Sequence, residues 1–164
     1  MADRDLDSYP VKEDMRFQNT VWVIERVAWV LLSLVPLAAL AGLFSNGPLS
    51  DRVAQAPNSA FSVEYERFQR VTVQARFVVR VPSTDADEVR LHLNPSFHLT
   101  YDIQSLQPET ARASAGPNGL DLYFQPEDGA LTAVIWATPR HFGKVDLRAD
   151  IDGVSAEMPM FIYP

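Results

Sequence analysis

The stretch from Val27 to Phe44, VAWVLLSLVPLAALAGLF, carries no charged side chain, and Ser33 is its only hydroxyl. An α-helix rises 1.5 Å per residue, so about 20 apolar residues cross the ~30 Å hydrocarbon core of a bilayer. A core helix of that length in a soluble protein would show a polar stripe, and this run has none. Extended back to Val21, it predicts a transmembrane helix over residues 21–44. A cleavable export signal fits less well, because it wants a short basic start and an apolar run of roughly 7–15 residues. Here the start is long and acidic, with Asp3, Asp5, Asp7, Glu13 and Asp14. The string AQA at Ala54–Ala56 resembles a cleavage site but lies far past the run and is followed by Pro57. The reading is an uncleaved, single-pass anchor in the lipid bilayer.

Orientation follows from lysine and arginine near the ends of the span. Arg4, Lys12, Arg16 and Arg26 lie on its N-terminal side, and only Arg52 lies close on the other. Residues 1–20 are therefore expected as a cytoplasmic tail, with everything after Phe44 across the membrane. That side is the periplasm if the membrane is the inner membrane of a Gram-negative cell.

Glu25 and Arg26 fall about one turn inside the cytoplasmic end. Arg26 can snorkel to the headgroups, whereas Glu25 must reach water, pair or take a proton. At helical spacing Trp22, Arg26, Trp29, Ser33 and Pro36 share one face. That face is an interfacial aromatic belt or a contact surface for another integral membrane protein. Ala38 and Gly42 form a small-xxx-small pair that would let a second helix approach. Pro36 predicts a kink. The span holds no histidine, so it offers no usual axial ligand to haem or chlorophyll.

Ser45–Ser59, SNGPLSDRVAQAPNS, is rich in turn-formers and reads as a linker over residues 45–59. After it the apolar period changes to two. In FSVEYERF, Phe61, Val63 and Tyr65 alternate with Ser62, Glu64 and Glu66. In VTVQARFVVRV, the residues Val71, Val73, Ala75, Phe77, Val79 and Val81 share one phase. The pattern recurs in VRLHL, FHLTYDI, LDLYFQ, LTAVIWA, VDLRADI and EMPMFIY, giving about eight strands. Turns are expected at PSTDAD, NP, GPNG, PEDG, TPRHFG and DG. Residues 60–164 thus predict an all-β domain, an antiparallel β-sandwich of immunoglobulin-like architecture, with an open barrel as the alternative. Val73, Phe77, Leu91, Leu122, Ile135 and Leu147 are expected in its core.

Chemistry is hard to find. With 21 acidic and 14 basic residues the net charge is −7, which argues against a nucleic-acid partner. There is no cysteine, hence no disulfide, thiolate metal site or cysteine nucleophile. His92 and His98 fall on outward strand positions, with Asp102 nearby, but lack metal-ligand spacing and read as exposed and unliganded. No GxSxG elbow supports a Ser-His-Asp set, and no Gly-rich phosphate loop is present. Asp85, Asp87 and Glu88 read as a solvated loop rather than a calcium site. Arg67, Arg70, Arg76 and Arg80 cluster in the first strands after the linker. Arg76 and Arg80 share an outward face suited to lipid headgroups or an acidic partner.

The strings RFQNTVWVIERVAWVLLSLVPLAALAGLF, GPLS, VEYERFQR, WATPRHFG and FIYP resemble a group of small single-pass inner-membrane proteins of Gram-negative bacteria. The resemblance runs from Arg16 to Pro164. It implies the topology above and an immunoglobulin-like exported domain, and it implies no reaction. The expectation is a non-catalytic accessory subunit of an inner-membrane complex, with no cofactor of its own. A respiratory or photosynthetic complex, for example of reaction-centre type, is the kind of assembly that holds such a subunit. Its partner contacts are expected at Trp22, Glu25, Arg26, Trp29, Ala38, Gly42, Arg76 and Arg80. The alternative is a membrane-tethered periplasmic binding module for a small ligand or metal, built on His92, His98 and Asp102.

Overall fold

The computed structural model describes residues 15–40, 47 and 49–164. An apolar helix is followed by an all-β region, and the two form separate compact units.

Helix α1 spans Met15–Leu40. It begins earlier than the expected Val21, because nothing between Met15 and Val21 breaks a helix, so residues 15–20 of the expected tail are helical. Residues 41–44 of the expected span lie outside the described residues. Within α1, Gln18–Leu40 has a mean hydropathy of 1.9 and no buried residue, and it is long and apolar enough to cross a membrane. Helical structure continues through Pro36 to Leu40. Pro36 has no N–H to give, so the Leu32 carbonyl loses its usual partner.

The β region holds eleven strands in two sheets. The five-stranded sheet contains β1 (Asp51–Gln55), β2 (Ser62–Glu66), β4 (Ala75–Val81), β9 (Leu131–Pro139) and β6 (Tyr101–Gln107), in that spatial order. The six-stranded sheet runs β3 (Phe68–Arg70), β11 (Val154–Tyr163), β10 (Gly143–Ile151), β5 (Val89–Leu93), β8 (Gly119–Phe124) and β7 (Arg112–Gly116). All pairings are antiparallel except that of β11 with β3, which is parallel. Val63, Phe77 and Ile135 from the first sheet, with Phe61 just before β2, share one core with Leu91, Leu122, Leu147, Met158 and Ile162 from the second. Two sheets over one apolar layer make a β-sandwich.

Three expectations need correction. The linker assigned to residues 45–59 contains β1, paired with β2 from Asp51↔Glu66 to Gln55↔Ser62, and a 3₁₀ turn at Pro57–Ser59. The expected strand FHLTYDI begins instead as a short helix, α2 (Pro95–Thr100), with Pro95 at its first position and Phe97 buried. The NP pair thus opens a helix rather than a turn. Val73 is 49 % exposed, not core. The chain turns between β3 and β4, with Thr72 at φ 68°, so the apolar phase that begins again at Ala75 does not include Val73. The other five predicted core residues are buried.

A buried polar contact joins the sheets. The Tyr101 hydroxyl donates to Gln69 Oε1 at 2.8 Å and lies 2.9 Å from Met160 Sδ. Gln69, itself only 2 % exposed, donates from Nε2 to the Glu66 carbonyl at 3.0 Å. Burial raises the Tyr101 pKa, so the phenol stays neutral and keeps its proton for Gln69.

Candidate partner-binding surfaces

Trp22 and Trp29 stand exposed on α1, and the Arg26 guanidinium carbon lies 3.8 Å from the Trp22 ring centroid. The i, i+4 spacing makes this cation–π contact possible. Further along the same face, Ser33 Oγ donates to the Trp29 carbonyl at 2.8 Å. The sequence-predicted stripe is therefore one continuous face, with Arg26 engaged by its own helix. Glu25 is exposed, and among the described residues its side chain makes no hydrogen bond or ion pair. Ala38 is half-buried. Gly42, its expected partner in the small-residue pair, lies outside the described residues.

Arg76 and Arg80 project from the outer face of β4, as the alternation implied. Register then sets their surroundings. Arg80 Nε bonds Glu64 Oε1 at 3.0 Å, an exposed ion pair worth about 0–1 kcal/mol. Arg76 lies 6.0 Å from the Trp136 ring centroid, its partner across the β4–β9 ladder. Beside them is a groove of about 260 Å³ lined by Asp51, Arg52, Glu64, Glu66, Arg76 and Val78. Burial lifts the Glu66 pKa above its ordinary 4.5, and Asp51 opposite it adds to the rise while Arg76 opposes it. Because the folded-state pKa is raised, the ionised carboxylate weakens the fold at neutral pH. Below about pH 4.5 both states are protonated and the penalty vanishes. Glu66→Gln is accordingly expected to raise the unfolding midpoint at pH 7, with the gain fading as pH falls toward 4.5. Denaturant titrations at the two pH values measure it.

The histidines and Asp102 do not meet as a ligand set. His92 Nδ1 lies 2.8 Å from Asp121 Oδ1, which also accepts from Arg90 Nε at 3.2 Å. Asp102 forms a two-point ion pair with Arg140. His98 is half-buried and its Nδ1 has no hydrogen-bond partner in the structure. The two histidines are thus partly covered, and His92 is engaged rather than free. Glu88 of the acidic loop reaches Arg112 at 3.5 Å. Among the described residues no group of three His, Asp or Glu side chains is placed to hold a metal. The His92–Asp121 pair escaped sequence reading because β5–β8 pairing alone brings these residues together. In comparison with known proteins, the chain matches no family model and no curated sequence.

Proposed function

We propose that this chain is a non-catalytic accessory subunit of an inner-membrane protein complex. In this reading α1 crosses the membrane once with its N-terminus cytoplasmic. The β-sandwich, immunoglobulin-like in architecture, then makes contacts in the periplasm. The observation that carries the reading is the helix itself. Over Gln18–Leu40 it has the length and hydropathy of a span and no buried residue, and the Glu25 carboxylate has no partner among the described residues. An unpaired carboxylate costs about 2–3 kcal/mol at the centre of a span and less near its end, unless something donates to it. A neighbouring membrane subunit that offers a hydrogen bond or a cation at Glu25, with a surface for Trp29, removes that cost. The two sheets over one core supply a rigid body for periplasmic contacts. The lysine and arginine bias supports the orientation, and the resemblance noted in the sequence points to the same topology.

The test is co-migration on a native gel after extraction from native membranes in mild detergent. Wild type is expected to run with larger partners. Glu25→Leu combined with Trp29→Ala should shift most of the chain to the free position. A reporter active only in the periplasm, fused after Pro164, should stay active in both and certify insertion. Unchanged co-migration of the double variant would remove the helix face from the proposal. Wild type that always migrates alone would overturn the subunit reading.

A further inference from the structure

The two ends of the β-sandwich differ in charge and in apolar exposure. One end gathers Ser50, Arg67, the turn at residues 71–74, α2 and the turn at residues 140–142. Backbone hydrogen bonds tie them together: Arg67 N to Ser50 O at 2.6 Å, Thr72 N to Pro139 O at 3.2 Å, and Arg140 N to Thr100 O at 2.8 Å. None of these connections contains Asp or Glu. At the opposite end lie the connections 82–88, 108–111, 125–130 and 152–153, the first and third joined by Thr84 N to Gly129 O at 2.8 Å. None of these contains Lys or Arg, and each contains Asp or Glu: Asp85, Asp87 and Glu88 in the first, Glu127 and Asp128 in the third.

Nearby carboxylates offset Arg140 and Lys144 but leave Arg67 without one among the described residues. Asp102 is taken up by Arg140, and Asp146 lies 3.5 Å from Lys144. Asp51 and Glu66 line the groove on the five-stranded sheet. Arg67 has no carboxylate partner among the described residues and lies 5.5 Å from the Phe68 ring centroid, while Arg70 Nε donates to Pro164 O at 3.1 Å. The same end carries exposed apolar tips, with Phe142 72 %, Leu99 64 % and Val73 49 % exposed. The acidic-end connections have no exposed large apolar side chain. Ser50, immediately before β1, is held at this end, its carbonyl accepting from Arg67 N and its Oγ from Phe68 N.

We propose that the basic end docks on an anionic lipid surface, with Phe142, Leu99 and Val73 entering the headgroup layer and Arg67 and Arg70 meeting lipid phosphates. The proposal rests on the reading that α1 spans the bilayer. Basic side chains are drawn to anionic headgroups within a Debye length, and apolar tips add burial. Residues 49–164 hold 15 Asp and Glu against 10 Lys and Arg, so the sandwich as a whole is repelled by such a surface, and the carboxylates in its far-end connections favour an approach by the other end.

The chain has no cysteine, which permits single-site labelling. A bimane probe at Gln74→Cys, with Asp128→Cys as the far-end control, would be read in the full chain reconstituted in vesicles. The vesicles contain phosphatidylcholine with or without phosphatidylglycerol, plus a headgroup-region nitroxide quencher. Quenching at residue 74 is expected to be several-fold stronger than at residue 128. It should rise with phosphatidylglycerol, fall with salt, and fall in Arg67→Ala/Arg70→Ala and in Phe142→Ser. Equal quenching at the two sites, or quenching indifferent to phosphatidylglycerol, would overturn the proposal. So would protection of residue 74 in native membranes alone, which would mark an acidic protein partner instead. Loss of the chain on alkaline washing would overturn the spanning reading, and this proposal with it.

Discussion

Gly119→Ala is expected to destabilise the sandwich by about 3 kcal/mol or more, a large fraction of the stability of an ordinary domain. Gly119 opens β8 after the Pro117–Asn118 turn and sits at φ +136°, a region that side chains rarely adopt. A Cβ there would lie 2.2 Å from the Leu93 carbonyl oxygen and 2.9 Å from His92 Cε1. The imidazole can rotate away, at the expense of its bond to Asp121. The carbonyl cannot, because β5 is paired on both sides, with β8 and with β10. Gly116, across the same hairpin, is the control: a Cβ there meets nothing within 4 Å. Gly116→Ala should leave the denaturant midpoint nearly unchanged. Matched unfolding of the two variants would show that the β7–β8 hairpin is not held as described.

Tyr101→Ala should be comparably severe, at about 3–5 kcal/mol. Its ring lies 5.3 Å from Phe97 and 5.5 Å from Phe77, centroid to centroid, so truncation opens a cavity where α2, β4 and β6 meet. It also strips Gln69 Oε1 of its donor inside the core. Tyr101→Phe separates the two effects. It keeps the ring and removes only the hydroxyl, for an expected loss of about 1–3 kcal/mol from an unsatisfied buried amide. Chemical denaturation followed by near-ultraviolet circular dichroism would rank the two variants. A Tyr101→Phe protein as stable as wild type would mean that Gln69 finds another donor, and that the seam between the sheets does not depend on this bond.

These stabilities bear on function through rigidity. On the proposed reading, the helix recognises a membrane partner through Glu25 and Trp29, whose side chains have no partner among the described residues. The sandwich holds a fixed arrangement of charge against a surface. Neither role needs a catalytic constellation, and both need the sheets to keep their register.

Several features were legible in the sequence because burial writes them there. The apolar part of α1 shows as a largely uncharged run, long enough to cross a membrane. The strands β2, β4, β5, β8, β9, β10 and β11 show as alternation, since one face of each is covered. The turns at Pro82–Asp87, Gly116–Gly119 and Asp152–Gly153 show through residues that tolerate their backbone angles. Three strands did not show: β1, β3 and β7. Each lies at the edge of its sheet, with all or most of its residues exposed or half-exposed, so nothing imposes a period of two on its side chains. Val73 misled for the converse reason, since an apolar residue in phase with a strand need not lie within it. The pairing of His92 with Asp121 and the charge separation between the two ends depend on residues far apart in the chain. Arg67 and Arg140 meet at one end only because strand order brings their turns together. Local pattern records what each residue faces, and only the tertiary fold determines which distant residues face the same way.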